Sequence, residues 1–98
     1  HPGVYAFAVG GIVQYVGVAT MGLRKRLRFY ERPGPTQSTS IRLKRLLVSE
    51  LASGARIDIL IAHPPELSWM GLPVNGNVGL ELGLIQNHLL PWNIRGRR

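Results

Sequence analysis

Glu81 is the acidic residue whose position is hardest to explain by folding alone. Hydrophobic periodicity predicts a helix over Val78–Leu90, and on that helix Glu81 lies on the same side as Leu84, Ile85 and His88. Its carboxylate therefore projects from an apolar face. Burial of an uncompensated carboxylate is costly, so a metal ion, an arginine or another cation is expected beside it.

Arg26 is the basic side chain best placed to meet an anion. In a helix predicted from Met21 to Tyr30, Arg26 borders the apolar stripe that carries Leu27 and Tyr30. A guanidinium beside a core face needs a partner or a ligand. Two other interpretations stay open: the side chain reaches past the stripe to water, or it forms a structural pair with Glu81.

Two tyrosines lie in a predicted β-hairpin over Gly3–Gly17. We expect a three-residue loop, Val9–Gly11, whose register puts Tyr5 directly opposite Tyr15 on one face of the sheet. A two-residue turn at the two glycines would instead place the tyrosines on opposite faces. The simpler alternative is that both are strand formers whose hydroxyls reach water.

The remaining pattern predicts an α+β fold in the order ββααβα, a small three-stranded antiparallel sheet flanked by three helices. Asn77 is expected to cap the last helix, and Pro91 to end it. Trp69 and Met70 are expected to pack back onto the core as a lid, in preference to a base-stacking or dimer contact. The other predicted segments are a loop over Glu31–Ser40, a helix over Ser40–Ala52, a strand over Arg56–Ala62 and a loop over Pro64–Asn77.

Composition favours a nucleic-acid partner. The chain has 98 residues and no cysteine, so we expect one domain over residues 1–98 without disulfides or thiolate metal sites. Twelve Lys and Arg against five Asp and Glu give a net charge of +7, which indicates a polyanionic partner. No apolar run is long enough for a membrane span. The candidate nucleic-acid-binding residues are Arg24, Lys25, Arg28, Arg42 and Arg45.

Several pieces of the chain, taken in order, resemble the GIY-YIG nuclease family. They are Gly3-Val4-Tyr5, Tyr15-Val16-Gly17, the helix segment Leu23-Arg24-Lys25-Arg26-Leu27, Tyr30, and Glu81-Leu82-Gly83-Leu84-Ile85 followed by Pro91-Trp92-Asn93. The resemblance implies a GIY-YIG-like fold and hydrolysis of a phosphodiester with one divalent metal ion, Mg²⁺ or Mn²⁺. The five carboxylates are too few and too scattered to favour a two-metal site.

The resemblance also implies roles for individual residues. Glu81 would bind the metal, Arg26 would stabilise the phosphate, and Tyr5 and Tyr15 would activate and position the attacking water. Tyr30 would be a further phosphate contact or a proton relay. The motif positions Gly17 and Asn93 are expected to be structural.

The expected partner is DNA, duplex or branched, and the expected compartment is intracellular. A basic nucleic-acid-binding module without catalysis is the competing hypothesis, and a structural protein of a ribonucleoprotein particle is a third. The sequence leaves sequence specificity, RNA as a target and the oligomeric state open.

Overall fold

A computed structural model describes residues 1–20, 22–31 and 38–94, without the side chains of Phe29 and Glu31. Three strands form an antiparallel sheet in the order β2-β1-β3, and two short strands pair separately. The predicted α+β class with three helices is confirmed. The elements are β1 (Gly3–Val9), β2 (Ile12–Ala19), α1 (Leu23–Glu31), α2 (Ser38–Ala52), β3 (Ile57–Ala62), β4 (Leu67–Trp69), β5 (Leu72–Val74) and α3 (Gly76–Asn87).

The predicted register of the first hairpin is wrong. Gly10 and Gly11 form a two-residue turn with φ angles of 58° and 84°, the left-handed pair that favours glycine in hairpins. Tyr5 pairs with Gly17, and Phe7 pairs with Tyr15. A bulge opposite Phe7 and Ala8 absorbs one residue of β2 and restores the parity that the short turn would otherwise break. Tyr5 and Tyr15 therefore share a face as diagonal neighbours, not as a directly opposed pair.

The two faces of the sheet carry two separate clusters of buried side chains. One face holds the aromatic rings, which pack with side chains from α1 and α2; this cluster consists of Tyr5, Phe7, Tyr15, Ala19, Leu23, Tyr30, Leu43 and Trp92. The other face is aliphatic and packs against α3 through Leu80, Leu84 and Ile85. Glu81 belongs to the helix of the second cluster, whereas the tyrosines belong to the first.

Helix boundaries differ modestly from those predicted. Helix α2 begins two residues earlier than expected, and the start predicted for α1 at Met21 lies outside the described residues. Helix α3 is capped by the side chain of Asn75, not Asn77, because the Asn75 Oδ1 accepts from the backbone N–H of Val78 at 3.1 Å. It ends at Asn87, since His88 is already extended, with φ −134° and ψ 150°.

The predicted 64–77 loop is wrong in its centre, where β4 and β5 form a short antiparallel hairpin. The predicted lid is also wrong. Trp69 is 68% exposed and Met70 is 86% exposed, so neither covers the core. Turn residues at Met70 and Gly71 adopt φ angles of 49° and 81°, which close this hairpin as tightly as the first one. Among the described helices, none is long and apolar enough to cross a membrane.

Candidate active site

Tyr5 lies at the centre of the aromatic face, and the position of its ring depends on a neighbouring glycine. A Cβ built at Gly17 would lie 2.5 Å from both the Cζ and the Oη of Tyr5, and 3.0 Å from Cε2 of Tyr15. Carbon atoms normally approach to about 3.5 Å or more. Only glycine at this position lets the Tyr5 ring lie across β2.

The Tyr5 hydroxyl joins two neighbouring polar groups. It makes a 2.5 Å hydrogen bond with the Tyr30 hydroxyl and accepts a hydrogen bond from Nε of Arg26 at 3.2 Å. Arg26 also lies over the Tyr30 ring, with Cζ 5.3 Å from the ring centroid, and its Nη1 donates to Oγ of Ser40 at 3.5 Å. The guanidinium is thereby held in one orientation from three sides.

Burial keeps two of the phenols neutral. It raises the pKa of Tyr15 to about 12, and the neighbouring Tyr5 and Glu81 add to that rise, while a hydrogen bond to Tyr30 and the charge of Arg26 oppose it. Burial likewise raises the pKa of Tyr30. Burial alone would lower the pKa of Arg26, but the oxygens of Tyr5 and Tyr30 outweigh it, so the net shift is upward and Arg26 stays charged.

Four of the five residues predicted as catalytic line one cleft of about 860 Å³. Tyr5 and Tyr15 line it from the sheet, Arg26 from α1 and Glu81 from α3. Tyr30 is buried one layer deeper, where its hydroxyl contacts Tyr5. The cleft thus lies between the helices of the aromatic face and the helix of the aliphatic face, at the end of β2.

Only some of the predicted nucleic-acid-binding residues reach this cleft. Lys25 and Arg42 line it together with Arg26, so three cations surround the same space. Arg42 also donates from Nη2 to the carbonyl oxygen of Trp92 at 2.9 Å. The side chains of Arg24, Arg28 and Arg45 are exposed outside it, and Arg32, Arg95, Arg97 and Arg98 lie outside the described residues.

No protein-family model matches the sequence, and no curated protein matches it. A solved structure of a mutant of bacteriophage T4 EndoII is similar to this chain, with a TM-score of 0.76. It is 23% identical in sequence, and the similarity covers 96% of this chain and 74% of that chain. The likeness shows a shared fold over nearly the whole of this chain.

Asn93 fastens the segment after α3 to the outer edge of the sheet. Its Oδ1 accepts from the backbone N–H of Val16 at 2.9 Å, and its Nδ2 donates to the Val16 carbonyl at 3.0 Å. The backbone N–H of Trp92 donates to the carbonyl of Gln14 at 2.9 Å. One side-chain amide therefore replaces a strand neighbour beside Tyr15 and holds that edge of β2 in place.

Sequence reasoning missed Ser40, which is 1% exposed and accepts from Arg26. The available signal was its position three residues before Leu43, which puts a hydroxyl in the buried stripe of α2. It also missed Thr39, which lines the cleft.

A metal ion in this cleft would find one carboxylate from the described residues, that of Glu81. The described residues contain no cluster of three or more His, Asp or Glu side chains that would form a complete protein-built metal site. A single carboxylate suits Mg²⁺ or Mn²⁺, because such ions commonly retain several waters and take further oxygens from a phosphate. The donor set therefore fits one hydrated divalent ion.

Proposed function

We propose that residues 1–98 form one metal-dependent endonuclease domain that hydrolyses DNA phosphodiester bonds in this cleft. The observation that carries the proposal is that Tyr5, Tyr15, Arg26 and Glu81 line the same space although they come from four different elements. The shared fold with EndoII, an endonuclease, supports the same hypothesis.

Arg26 is the proposed phosphate ligand. Its hydrogen bonds to Tyr5 and Ser40 fix the planar guanidinium before substrate arrives, so no reorganisation is needed when charge develops on the phosphate oxygens. Lys25 and Arg42 line the same cleft and add positive charge where the DNA backbone would enter.

The phenols have different proposed roles. Tyr15 is protonated at neutral pH, and the rise of its pKa to about 12 strengthens that preference, so it would donate a hydrogen bond to the attacking water or to a phosphate oxygen. Tyr5, whose hydroxyl accepts a hydrogen bond from Arg26, would act as the base: it would first release its own phenol proton to solvent water and then take the proton from the attacking water. Tyr30 contacts Tyr5 from behind, which favours a proton-relay role over a phosphate contact.

Glu81 would hold the divalent ion. Such an ion lowers the pKa of bound water and neutralises charge on phosphate oxygens. Glu81 would present one carboxylate from α3 to the cleft that Arg26 also lines, so the metal-binding carboxylate and the phosphate-binding guanidinium would act in the same space. Glu81 lies on the same side of α3 as Leu84 and Ile85, whose packing against the sheet sets the position of that carboxylate.

The test compares two matched carboxamide variants. We expect Glu81→Gln to lower the rate of supercoiled-plasmid nicking in Mg²⁺ or Mn²⁺ by about a hundredfold or more, because it removes several kcal/mol of charge stabilisation. DNA binding in EDTA should change little. Glu50→Gln makes the same substitution on α2, away from the cleft, and should nick at the parent rate.

Two outcomes would contradict the proposal. If the Glu81→Gln variant nicks as fast as the parent, Glu81 is not the metal ligand. If the parent shifts DNA in a salt-sensitive manner but does not nick it with either metal, the chain is a binding module without catalysis.

A further inference from the structure

The β4–β5 hairpin has an apolar face that contributes nothing to the core. Leu67 pairs with Val74 and Trp69 pairs with Leu72, so these four side chains share one face. Their exposed fractions run from 44% for Val74 to 68% for Trp69. The stretch 67–80 contains no charged residue in a chain of net charge +7.

The tip of this hairpin presents a large side chain at a conformational cost. Met70 has a φ of 49°, in the left-handed region where Asn and Gly are preferred, and such a residue costs about 1 kcal/mol or more. Its side chain is nevertheless 86% exposed, so the folded chain gains almost no burial in return. A contact between Met70 and another molecule would explain why an apolar side chain occupies this turn.

The base of the hairpin is fixed beside the proposed active site. A Cβ built at Gly76, the first residue of α3, would lie 3.3–3.4 Å from atoms of Pro64, Pro65 and Leu67, so the hairpin packs closely on that helix. A groove at the base is lined by Thr20, which also lines the active-site cleft.

Helix α3 gives a bound on the distance from the tip to the cleft. Glu81 lies six residues after the N-cap, a rise of about 9 Å, and the five residues from Met70 to Asn75 span at most about 17 Å. The tip therefore lies within about 26 Å of Glu81, a span of about eight base pairs of duplex at 3.4 Å each.

We propose that the β4–β5 hairpin enters the major groove of a DNA duplex whose backbone lies in the cleft, so that Trp69 and Met70 contact base edges. This inference rests on the nucleic-acid partner of the proposed function. A two-stranded ribbon fits a groove about 12 Å wide as it is, whereas a groove about 6 Å wide would have to be widened at a cost in deformation energy. Because the ribbon has no charged side chains, it cannot form ion pairs with phosphates. Base edges, in contrast, present apolar groups such as the thymine methyl, which apolar side chains can contact.

A second copy of this chain fits the hairpin less well. The exposed parts of the four apolar side chains of this face and of Met70 together amount to roughly 600 Å², less than the roughly 800 Å² per partner that stable interfaces typically bury. Two copies of a chain with net charge +7 would also repel each other.

The decisive variant is Trp69→Ala, measured by fluorescence anisotropy on a labelled duplex of about 30 base pairs in EDTA, where binding is separated from cleavage. We expect binding about 10- to 100-fold weaker, because a large apolar contact is lost. The slope of log Kd against log salt should not change, since no phosphate contact is removed. Lys25→Ala, which removes a cation that lines the cleft, should instead lower that slope by about 1.

Tryptophan fluorescence supplies an independent readout. Trp92 is 8% exposed and Trp69 is 68% exposed, so a DNA-dependent change in emission should come from Trp69. The Trp69→Phe variant should lose that change. Ile12→Ala is the matched control: Ile12 is 67% exposed and apolar, but it follows the Gly10–Gly11 turn at the opposite end of the sheet, and its variant should bind as the parent does.

The outcomes separate the two proposals. If Trp69→Ala binds DNA as tightly as the parent, the hairpin does not enter the groove, and nicking by the parent would still support the nuclease. If the parent is a dimer by light scattering and Trp69→Ala makes it a monomer with unchanged DNA binding, the occupant is a second copy and the hairpin proposal is overturned. If the parent binds with the Trp69 signal but never nicks, the hairpin proposal stands and the nuclease proposal fails.

Discussion

Replacing Gly17 by alanine tests whether the Tyr5 ring is positioned by close contact with β2. The added Cβ would lie 2.5 Å from Cζ and Oη of Tyr5, so the two must separate by about 1 Å to reach an ordinary contact. The ring has little room to move, because Tyr5 is 1% exposed and its hydroxyl is hydrogen-bonded to Tyr30 and Arg26.

The expected effect has two parts. Overpacking of this kind costs about 1–3 kcal/mol, which for a chain of this size lowers Tm by roughly 5–20 °C. A displacement of about 1 Å at a reacting group can lower a rate about a hundredfold. We therefore expect Gly17→Ala to lose far more plasmid-nicking activity than its remaining folded fraction at the assay temperature would account for.

Urea unfolding followed by circular dichroism, together with nicking rates at a temperature where the variant is folded, measures both parts. Gly83→Ala is the control, because it should change the free energy of unfolding in the opposite direction. A Cβ there meets nothing within 4 Å, and alanine in a helix interior should raise the free energy of unfolding by about 0.5–1 kcal/mol. If Gly17→Ala unfolds at the parent midpoint and nicks at the parent rate, the packing argument for the site is refuted.

Two further predictions concern the edge of β2 and the buried phenols. Asn93→Ala should lower the free energy of unfolding by about 2–4 kcal/mol, measured in urea, because it leaves the N–H and C=O of Val16 unpaired in a buried position; a parent-like midpoint would show that another group satisfies them. The pKa of Tyr15 rises from 10.0 unfolded to about 12 folded, so its contribution to stability is complete below pH 10 and is lost as the pH rises toward 12. Between about pH 10 and pH 12 the urea midpoint of the parent should fall more than that of Tyr15→Phe. The difference should be equivalent to about 2 kcal/mol of unfolding free energy. If the two midpoints fall equally with pH, Tyr15 ionises as freely in the folded chain as in the unfolded chain.

The sequence predicted the fold class because periodicity and turn residues agree over most of the chain. The first hairpin shows the limit of such reasoning. Two glycines in succession signalled a turn, but the position of the bulge depends on which residues of β2 pack on the aromatic face, and that is a tertiary choice. The expectation that Tyr5 and Tyr15 share a face was correct although the register that produced it was wrong.

The β4–β5 hairpin was not predicted because three-residue strands carry too little pattern to distinguish them from a loop. The lid followed from the assumption that a tryptophan and a methionine in a small domain would be buried. A left-handed Met70 at a two-residue turn projects both side chains outward instead. Apolar composition indicates what can be buried, whereas turn geometry decides what can reach the core.

The two clusters of buried side chains hold the two sides of the candidate site separately. Arg26 and the tyrosines are fixed by a buried aromatic cluster with hydrogen bonds among its members. Glu81 lies on α3, whose described residues include none that is fully buried and whose three glycines lower its intrinsic helix stability. The cation side of the cleft is therefore rigid, and the carboxylate side depends on how firmly α3 packs on the sheet. Under the proposed function, this arrangement would let α3 and its attached hairpin adjust to a duplex while Arg26 stays in place.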